Sequence, residues 1–339
     1  MKTPLPTRRL GTNGPDITTV GFGAWAAGGG GWAFGWGPQD DAASIAAIRH
    51  ALAKGVNWID TAAVYGYGHS EEIVGRALAG MPDSERPLVL TKCGLRWNDA
   101  DRMTPPVRDS RPARVREECE ASLRRLGVER IDLYQFHWPD EVGTPVEDSW
   151  GEMLALVGEG KVRWAGVSNY KVALLEACES VGHVQSLQPP FSMIRRDVAG
   201  TEVPWCAQHG TGVIVYSPMQ SGLLTDSFTP ARAAALAADD WRRASPQHKS
   251  PNLERNLALR DALRPIATKH GVTVASVAVA WTLAWPGVTA AIVGARSPEQ
   301  VDGWTAAATL RLDADDLAAI AAAIEKTGAG SGPTMPADT

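Results

Sequence analysis

Residues 57–78, NWIDTAAVYGYGHSEEIVGRAL, contain one complete unit of strand, loop and helix. The run that begins near Val56 is short, carries bulky apolar side chains and ends at Asp60, which predicts a buried strand. Ser70 with two glutamates after it is typical of a helix start, because a side-chain oxygen and early acidic residues stabilise the first free N–H groups. A chain that repeats this unit is predicted to fold as α/β with a parallel sheet.

The same rhythm of strand and helix continues along the 339 residues. Strands are predicted to begin near Thr19, Val56, Leu88, Ile131, Val162, Val184, Gly212 and Val288. Helices are predicted at residues 40–54, 112–126, 145–157, 171–181 and 298–308, besides the one that Ser70 begins. Eight strands with helices between them favour a single (β/α)8 TIM barrel over residues 1–327, and a doubly wound open sheet is the alternative.

Segments that do not follow this rhythm predict what lies at the two ends of the barrel. Residues 7–18, with a glycine-bounded turn, predict a β-hairpin that closes the bottom. The polar loops at 95–111 and 220–252 follow strands, so in a barrel they lie over the C-terminal face, where active sites are found. Residues 328–339 are rich in Gly, Pro and Ser and are predicted to form a flexible tail.

The composition excludes several classes of protein. Hydrophobic residues make up 44% and charged residues 21% of the chain, which is ordinary for a globular protein with a large core. The net charge of −5 offers no basic face to nucleic acid or anionic lipid, and no run of about 18 apolar residues predicts a membrane span. The first residues, MKTPLPTRRL, lack the apolar core of a signal peptide. The separated cysteines, Cys93, Cys119, Cys178 and Cys206, fit reduced thiols, so we expect a cytoplasmic protein, either a monomer or a weak oligomer.

Four ionisable side chains lie at or just beyond the predicted carboxyl ends of three consecutive strands. Asp60 ends VNWID, Lys92 ends LVLTK and His137 ends IDLYQFH, while Tyr65 lies in the loop after the first of these strands. In a barrel these ends meet at one mouth. An ammonium beside a phenol lowers the pKa of the phenol, a carboxylate fixes the ammonium, and an imidazole donates or relays a proton. Each residue alone has an ordinary structural role, but together they predict a site for proton transfer.

Six segments, in this order along the chain, resemble the aldo-keto reductase superfamily: NWIDTAAVYGYGHSEEIVGRAL, LTKCG, YQFHWPD, GVSNY, VYSPMQSGLL and IVGARSPEQ. The resemblance extends from about Arg8 to about Glu325 and is greatest to bacterial members of the broad group that includes the potassium-channel β-subunit relatives. It implies a barrel that uses NADPH without a Rossmann domain and without a metal. It also implies reversible reduction of a small-molecule aldehyde or ketone by hydride transfer from the nicotinamide.

The resemblance implies a role for each of the four ionisable residues. Tyr65 is the general acid that protonates the developing alkoxide, Lys92 lowers the pKa of Tyr65, and Asp60 is the partner of Lys92. His137 orients the carbonyl and assists proton transfer. This agrees with the physical argument, because donors aimed at an oxygen that gains negative charge stabilise that charge.

Matching motifs also imply contacts to the cofactor. Ser168, Asn169 and Gln188 resemble the groups that hold the nicotinamide carboxamide, and Tyr216 resembles the ring that stacks on the nicotinamide. The other expected contacts are Gly23, Ala24, Trp25, Asp60 and His137, the pyrophosphate loop of Ser217, Pro218, Met219, Gln220, Ser221, Gly222 and Leu223, and the adenosine-side residues Gly294, Arg296 and Gln300. Arg296 is the natural partner of a 2′-phosphate, because a guanidinium binds phosphate bidentately, so NADPH is expected to bind better than NADH. The alternatives are a plain strand and turn for VYSPM and a surface charge for Arg296.

Two short segments depart from the family pattern or match a different motif. Many family members carry a Glu-Asn pair on the last barrel helix where this chain has Gly303 and Trp304, so Trp304 packs either on the adenine or on the helix below. Residues 21–26, GFGAWA, match a dinucleotide-binding glycine motif. The glycines at 28–31 start a helix poorly, which argues against a Rossmann fold and leaves a rim loop or a flexible connection.

Tryptophan is unusually frequent, with 13 Trp against 5 Phe and 5 Tyr. Trp58, Trp150, Trp164, Trp281 and Trp285 are expected in the core, while Trp205, Trp241 and Trp304 are ambiguous. Trp25, Trp32, Trp36, Trp97 and Trp138 follow strand ends and are expected at the catalytic mouth, all except Trp36 as candidates for the substrate pocket. Rigid indoles there favour a bulky cyclic ketone, such as a mycotoxin or steroid-like compound, over a small sugar. The alternative function is an NADP(H)-binding sensor or partner-binding subunit with little turnover.

Overall fold

Eight parallel strands close into a barrel in the computed structural model, which describes residues 4–237 and 240–336. The strands in chain order are β1 (Thr7–Arg9), β2 (Asp16–Thr18), β3 (Val20–Gly23), β4 (Trp58–Asp60), β5 (Leu88–Cys93), β6 (Leu95–Arg96), β7 (Val107–Arg108), β8 (Ile131–Phe136), β9 (Val162–Ser168), β10 (Ser186–Gln188), β11 (Gly212–Val215) and β12 (Ala290–Gly294). Around the barrel the order is β3, β4, β5, β8, β9, β10, β11 and β12, and β12 pairs with β3. The predicted (β/α)8 barrel is confirmed, and the closed sheet excludes the open doubly wound alternative.

Helices alternate with the barrel strands along the chain. They are α1 (Asp41–Ala53), α2 (His69–Leu78), α3 (Pro112–Leu126), α4 (Val146–Gly158), α5 (Val172–Val181), α6 (Glu202–His209), α7 (Pro230–Ala234), α8 (Asn252–Ala262), α9 (Arg264–His270), α10 (Val274–Leu283), α11 (Pro298–Thr305) and α12 (Ala314–Thr327). The predicted bounds of α3 are met because Pro112 starts the helix and Gly127, at φ +65°, ends it. Across the described residues, no helix combines the length and apolar composition of a membrane span.

Three strands begin two residues later than the sequence predicts. These are β4, β10 and β12, which were expected to begin at Val56, Val184 and Val288. Each of these valines is buried, with an exposed fraction of 3% or less, but each precedes the first paired residue of its strand. The prediction used burial and β-branching as signs of a strand. Both also occur in the segments that lead into the barrel, which explains the early predicted starts.

The predicted N-terminal hairpin lies at the bottom of the barrel. Strands β1 and β2 pair antiparallel, and the buried side chains of Leu10 and Ile17 pack in one cluster with the barrel residues Trp58, Leu90 and Leu133. The Trp58 indole also requires glycine at position 21 on the neighbouring strand, where a Cβ atom would lie 2.1 Å from the ring. The bottom of the barrel is thus filled by side chains, which leaves the opposite end for a site.

The two long loops contain more structure than the sequence indicates. The loop at 95–111 includes the antiparallel pair β6 and β7, and the segment 220–252 includes α7 and several 3-10 turns. Residues 238 and 239 of the second segment lie outside the described residues.

The first part of the C-terminal tail contacts the loop after β10. Ser331 pairs with Arg195, and the Arg196 guanidinium donates to the carbonyls of Ala329 (3.0 Å) and Gly332 (3.2 Å). The flexibility predicted for residues 328–339 stays a prediction, and residues 337–339 lie outside the described part of the chain.

Candidate active site

The four predicted ionisable residues meet at the carboxyl ends of β4, β5 and β8. Asp60 is the last residue of β4, Lys92 lies in β5, and the His137 backbone N–H donates to the Cys93 carbonyl at the end of β5. Tyr65 lies in the loop after β4, with its ring centroid 5.5 Å from that of His137. The parallel register of the barrel therefore brings residues from three separate motifs into one place.

Lys92 and Asp60 form a buried ion pair beneath this cluster. The Lys92 ammonium donates to Asp60 Oδ1 at 2.5 Å and to the Thr61 carbonyl at 2.9 Å, and its side chain has no exposed surface. The other carboxylate oxygen of Asp60 accepts from Gln188 Nε2 at 2.9 Å. Burial lowers the pKa of Lys92, while contact with Asp60 acts in the opposite direction. Each charge is thus held in place by fixed partners.

Tyr65 lies within reach of this pair, since its hydroxyl is 3.5 Å from Lys92 Nζ. Burial raises the pKa of Tyr65 well above its usual range, and the Asp60 carboxylate acts in the same direction. This is opposite to the direction expected from the sequence. The Lys92 ammonium lies 2.5 Å from Asp60 and 3.5 Å from the Tyr65 hydroxyl, so the phenol faces the carboxylate and the ammonium together. The phenol consequently keeps its proton at neutral pH, which is the state that a proton donor needs.

His137 supplies a neutral imidazole to the same cavity. Burial lowers the pKa of His137 well below its usual range, and the Lys92 charge adds to this effect. Within the described part of the chain, no side chain or backbone group forms a hydrogen bond with its ring, and Nδ1 is buried without a partner. A neutral ring with a free nitrogen can donate one hydrogen bond to a bound oxygen without carrying charge.

A buried network that the sequence argument missed supports the Tyr65 loop. Glu71, at the start of α2, has no exposed surface and accepts from the Thr91 hydroxyl and from Arg125 Nε, each at 2.6 Å. Thr91 precedes Lys92 on β5. The network therefore ties the helix that follows Tyr65 to the strand that carries Lys92. The signal in the sequence is that Glu71 lies on the same helical face as Val74 and Leu78, and a charge on an apolar face needs a partner.

The glycine run at 28–31 forms part of the rim beside Tyr65. A Cβ atom on Gly66 would lie 2.3 Å from the Gly28 carbonyl oxygen, and one on Gly28 would lie 2.7 Å from the Gly66 nitrogen. The two loops thus touch through backbone atoms, and Gly66 also has φ of +63°. This contact supports the rim-loop interpretation of the glycine run rather than a flexible connection.

A cavity of about 880 Å³ extends from the catalytic cluster. Most of the predicted cofactor contacts line it: Gly23, Trp25, Asp60, His137, Ser168, Asn169, Gln188, Tyr216, Ser217, Pro218, Met219, Ser221, Gly222, Gly294, Arg296 and Gln300. The side chains of three others, Ala24, Gln220 and Leu223, do not line it, and their contact with the cofactor stays a prediction. Ala24 and Leu223 are buried in the core, and Gln220 turns away to accept from the Ser192 hydroxyl at 2.8 Å. Successive side chains in a loop point in different directions, so a contiguous motif does not place every side chain on the cavity.

The polar groups at the catalytic end of the cavity are tied to one another. Asn169, at φ +64°, donates to the His137 carbonyl (2.9 Å) and to the Ser168 hydroxyl (3.0 Å), and it accepts from the Tyr216 hydroxyl (2.8 Å). The Ser168 hydroxyl in turn donates to the Gln188 carbonyl at 2.8 Å. This arrangement fixes the Tyr216 ring on the wall, as stacking on a nicotinamide would require.

Guanidinium groups line the other end of the cavity. Arg232, Arg242 and Arg296 all face it, and burial together with the charges of the other two lowers the pKa of Arg296. Arg242 is paired with the buried Asp240 through Nε and a terminal nitrogen, whereas Arg232 and Arg296 have no carboxylate partner among the described residues and therefore favour an anion beside them. Arg242 came from the long loop at 220–252, where the sequence carried no motif for it. Together with the hydrogen-bonding groups at the catalytic end, Arg232 and Arg296 fit a nicotinamide dinucleotide and its phosphates.

Arg296 is engaged by the loop before α1. Its Nε donates to Gln39 Oε1 at 2.5 Å, its terminal nitrogen donates to the Pro38 carbonyl, and its backbone N–H donates to Gln300 Oε1. These bonds position the guanidinium but use only some of its five donors. Gly303 and Trp304 also line this end, and Trp304 is 2% exposed. The indole therefore borders the cavity while most of its surface packs on the core.

Stacked aromatic rings form the wall on the substrate side. Trp25 lies between Tyr65 and Trp241, with centroid distances of 5.8 Å and 5.7 Å, and meets the edge of Trp36 at 5.6 Å. Trp25, Trp32, Trp36 and Trp138 line the cavity as expected. Trp97 does not, which corrects its place among the pocket candidates. It stacks on Tyr67 at 5.2 Å, and its N–H donates to Asp99.

The remaining tryptophans separate as the packing dictates. Trp58, Trp150, Trp281 and Trp285 are buried in the core, with Trp164 packed beside the barrel cluster. Of the ambiguous residues, Trp205 is buried and stacks on His209, and Trp241 stacks on Trp25, which lines the cavity. Among the residues that the structure describes, no cluster of His, Cys, Asp or Glu has the arrangement of a metal site.

Comparison with known proteins gives one consistent result. The model of the aldo/keto reductase family matches residues 19–325. The aldo-keto reductase YhdN of Bacillus subtilis is 33% identical over 94% of this chain and 93% of that protein. The NADH-specific methylglyoxal reductase of Escherichia coli is 33% identical over 90% of this chain and 94% of its own length. The solved structure of the glycerol dehydrogenase AKR11B4 from Gluconobacter oxydans superposes with a TM-score of 0.86 at 38% identity, covering 96% of this chain and 97% of that one.

Proposed function

The chain belongs to the aldo/keto reductase family, and from this premise we propose that it is an NADPH-dependent reductase of bulky aldehydes or ketones with Tyr65 as the proton donor. Members of the family are oxidoreductases that use a nicotinamide cofactor on small carbonyl compounds. The observation that carries the proposal is the convergence of the Tyr65 phenol and the His137 imidazole on one cavity, beside a buried Lys–Asp pair.

The proposed mechanism assigns one task to each residue. Ser168, Asn169, Gln188 and Tyr216 hold the nicotinamide end of the cofactor, which supplies the hydride when it is bound. His137 donates a hydrogen bond from its neutral ring to the carbonyl oxygen and so orients it. Tyr65 donates its proton to that oxygen as negative charge develops there, and Lys92 stabilises the phenolate that remains. In the reverse direction, Tyr65 takes the proton from an alcohol.

The proposed preference for NADPH rests on Arg296. A 2′-phosphate is the group that distinguishes NADPH from NADH, and the partly buried Arg296 guanidinium, whose pKa is also lowered by the charge of Arg232, suits it. One relative is named as NADH-specific, so the preference has to be measured for this chain. NADH is expected to bind more weakly rather than not at all.

Replacing Arg296 by Gln is expected to weaken NADPH binding by about 10- to 100-fold, because one pair of charge-assisted hydrogen bonds is lost. NADH lacks the 2′-phosphate, so its binding should weaken far less. Quenching of tryptophan fluorescence by each cofactor measures both dissociation constants. Gln39→Ala is the matched control, because it removes the tether of Arg296 but keeps its charge. An equal loss for the two cofactors would show that Arg296 has only a structural role.

The proposed substrate class follows from the indoles of the cavity wall. Trp25, Trp32 and Trp138 offer large rigid surfaces, so a multi-ring ketone is expected to be reduced with a kcat/KM about 10-fold or more above that of glyceraldehyde. Loss of NADPH absorbance across a panel of aldehydes and ketones tests the function and the preference together. Trp138→Leu should reduce the preference, whereas Trp97→Leu, outside the cavity, should preserve it.

Two results would contradict the proposal. Comparable kcat/KM values for glyceraldehyde and the multi-ring ketone would contradict the proposed substrate class but not the proposed reductase activity. Tight NADPH binding without turnover of any carbonyl compound would contradict the proposed reductase activity and favour a cofactor-binding sensor.

A further inference from the structure

The loop after β5 carries four arginines, and three of them have acceptors in the protein. Arg111 donates to both carboxylate oxygens of the buried Asp109, at 2.8 and 2.6 Å. Arg96 lies 3.4 Å from the same carboxylate. Arg102 donates to two backbone carbonyls and lies over the Tyr67 ring. These three guanidinium groups hold the loop together.

Arg108 differs from its neighbours in the same loop. Its guanidinium lies over the Trp138 indole, 4.5 Å from the ring centroid, and both residues line the cavity. Among the described residues, none accepts a hydrogen bond from the Arg108 side chain. The nearest carboxylate, Glu141, has an oxygen 3.9 Å from Arg108 Nε, which is beyond hydrogen-bond distance. Among the described residues, the Arg108 guanidinium is thus held by the Trp138 ring and by this long ion pair, and its N–H groups make no hydrogen bond in the protein.

The backbone beneath this guanidinium is fixed on both sides. Arg108 pairs with Leu95 in the β6–β7 hairpin, and the next residue, Asp109, has no exposed surface. The Arg108 N–H donates to Glu141 Oε1 at 2.9 Å, and its carbonyl accepts from the Glu141 N–H at 3.0 Å. The stacking contact with Trp138 then restricts the plane of the side chain. A group ordered before binding loses less entropy when a ligand arrives.

The charges around the catalytic end leave Arg108 as the cation that a substrate meets. The Lys92 ammonium is buried and paired with Asp60, and the His137 ring is neutral. One oxygen of Glu141 is already occupied by the Arg108 backbone. Trp138 directly follows His137, and Arg108 lines the same cavity as these two residues, so its guanidinium lies on the wall of the cavity that contains the reacting centre.

We propose that Arg108 binds an anionic group, a carboxylate or a phosphate, on the carbonyl substrate. The preferred substrates are then carbonyl compounds with an apolar or planar body and an anionic end. This inference rests on the proposed reductase function, which it makes more specific.

The test compares 4-carboxybenzaldehyde with its neutral methyl ester, which has nearly the same shape. We expect the wild-type enzyme to reduce the carboxylate with a kcat/KM about 10- to 100-fold above that of the ester, the usual effect of a charge-assisted hydrogen bond pair. Arg108→Gln should remove this advantage and change the ester by no more than about twofold. Glyceraldehyde 3-phosphate against glyceraldehyde repeats the comparison with a phosphate, and the larger ratio identifies the preferred anion.

Three variants control for other causes. Arg96→Gln removes the same charge from the same hairpin but faces away from the cavity, so it should keep the preference. Arg108→Lys keeps the charge without the planar fork and should lie between wild type and Arg108→Gln. Glu141→Gln keeps an oxygen for the Arg108 N–H but removes a competing carboxylate, so it should strengthen the preference for the anion.

Binding of benzoate, followed by quenching of tryptophan fluorescence, provides a readout that does not depend on turnover. Binding that is lost in Arg108→Gln and kept in Arg96→Gln supports the proposal, even if no carbonyl compound is reduced and the proposed function fails. Equal wild-type kcat/KM values for 4-carboxybenzaldehyde and its methyl ester would overturn the proposal. An equal loss of kcat/KM for both compounds in Arg108→Gln would also overturn it. Either result leaves the reductase function intact.

Discussion

Replacing Tyr65 by Phe is expected to lower carbonyl reduction by about 10²- to 10⁴-fold or more, the usual contribution of a positioned general acid. The substitution removes only the hydroxyl that lies 3.5 Å from Lys92 Nζ. The ring keeps its stacking on Trp25 and its edge contact with His137. NADPH binding should therefore remain near the wild-type value. Loss of NADPH absorbance measures the rate, and fluorescence quenching measures the dissociation constant.

Two controls make this result specific. Tyr67→Phe removes a phenol hydroxyl two residues away, where it donates to the Arg102 carbonyl rather than facing Lys92, and should keep most of the activity. Thermal unfolding of both variants checks that the loop remains folded. Normal turnover in Tyr65→Phe would exclude Tyr65 as the proton donor.

Lys92→Met is expected to be both inactive and strongly destabilised. It leaves the Asp60 carboxylate buried without its cation, and removing one partner of a buried ion pair costs about 3–5 kcal/mol of unfolding free energy. Lys92 also stabilises the phenolate of Tyr65 in the proposed mechanism, so activity should be lost with the charge. Urea denaturation followed by tryptophan fluorescence measures the change in stability.

The double variant Asp60→Asn/Lys92→Met separates the two effects. It removes both charges and keeps an oxygen for the bond from Gln188, so it should recover much of the lost stability while remaining inactive. A double variant as unstable as Lys92→Met would show that packing, rather than an unpaired carboxylate, dominates the loss. Recovery of activity in the double variant would remove Lys92 from the mechanism.

The pKa of Tyr65 shows where local sequence reasoning was incomplete. A lysine near a tyrosine predicts a lower phenol pKa, yet burial and the Asp60 carboxylate raise it. The direction depends on how closely Lys92 and Asp60 approach each other and on how much water reaches the hydroxyl. Neither quantity is encoded by the spacing of the motifs.

The tryptophans also divide into those that the sequence places correctly and those that only the packing places. Trp25, Trp32 and Trp138 follow strand ends, and the parallel barrel alone places them at the cavity. Trp97 follows a strand end as well, but the β6–β7 hairpin turns it onto Tyr67. Trp241 lies far along a loop with no periodic pattern, and only packing brings it onto Trp25.

The sequence by itself determined an α/β fold with parallel strands and favoured the barrel, because alternating strands and helices leave few topologies, and the closed sheet then excluded the open alternative. It also determined that Asp60, Lys92 and His137 meet, because the carboxyl ends of parallel strands share one face. Only the tertiary structure decided the direction of the Tyr65 pKa shift, the engagement of Arg296 by Gln39, and the position of the Arg108 guanidinium over Trp138. These depend on burial and on contacts between distant loops. Such contacts follow from side-chain directions that no local pattern specifies.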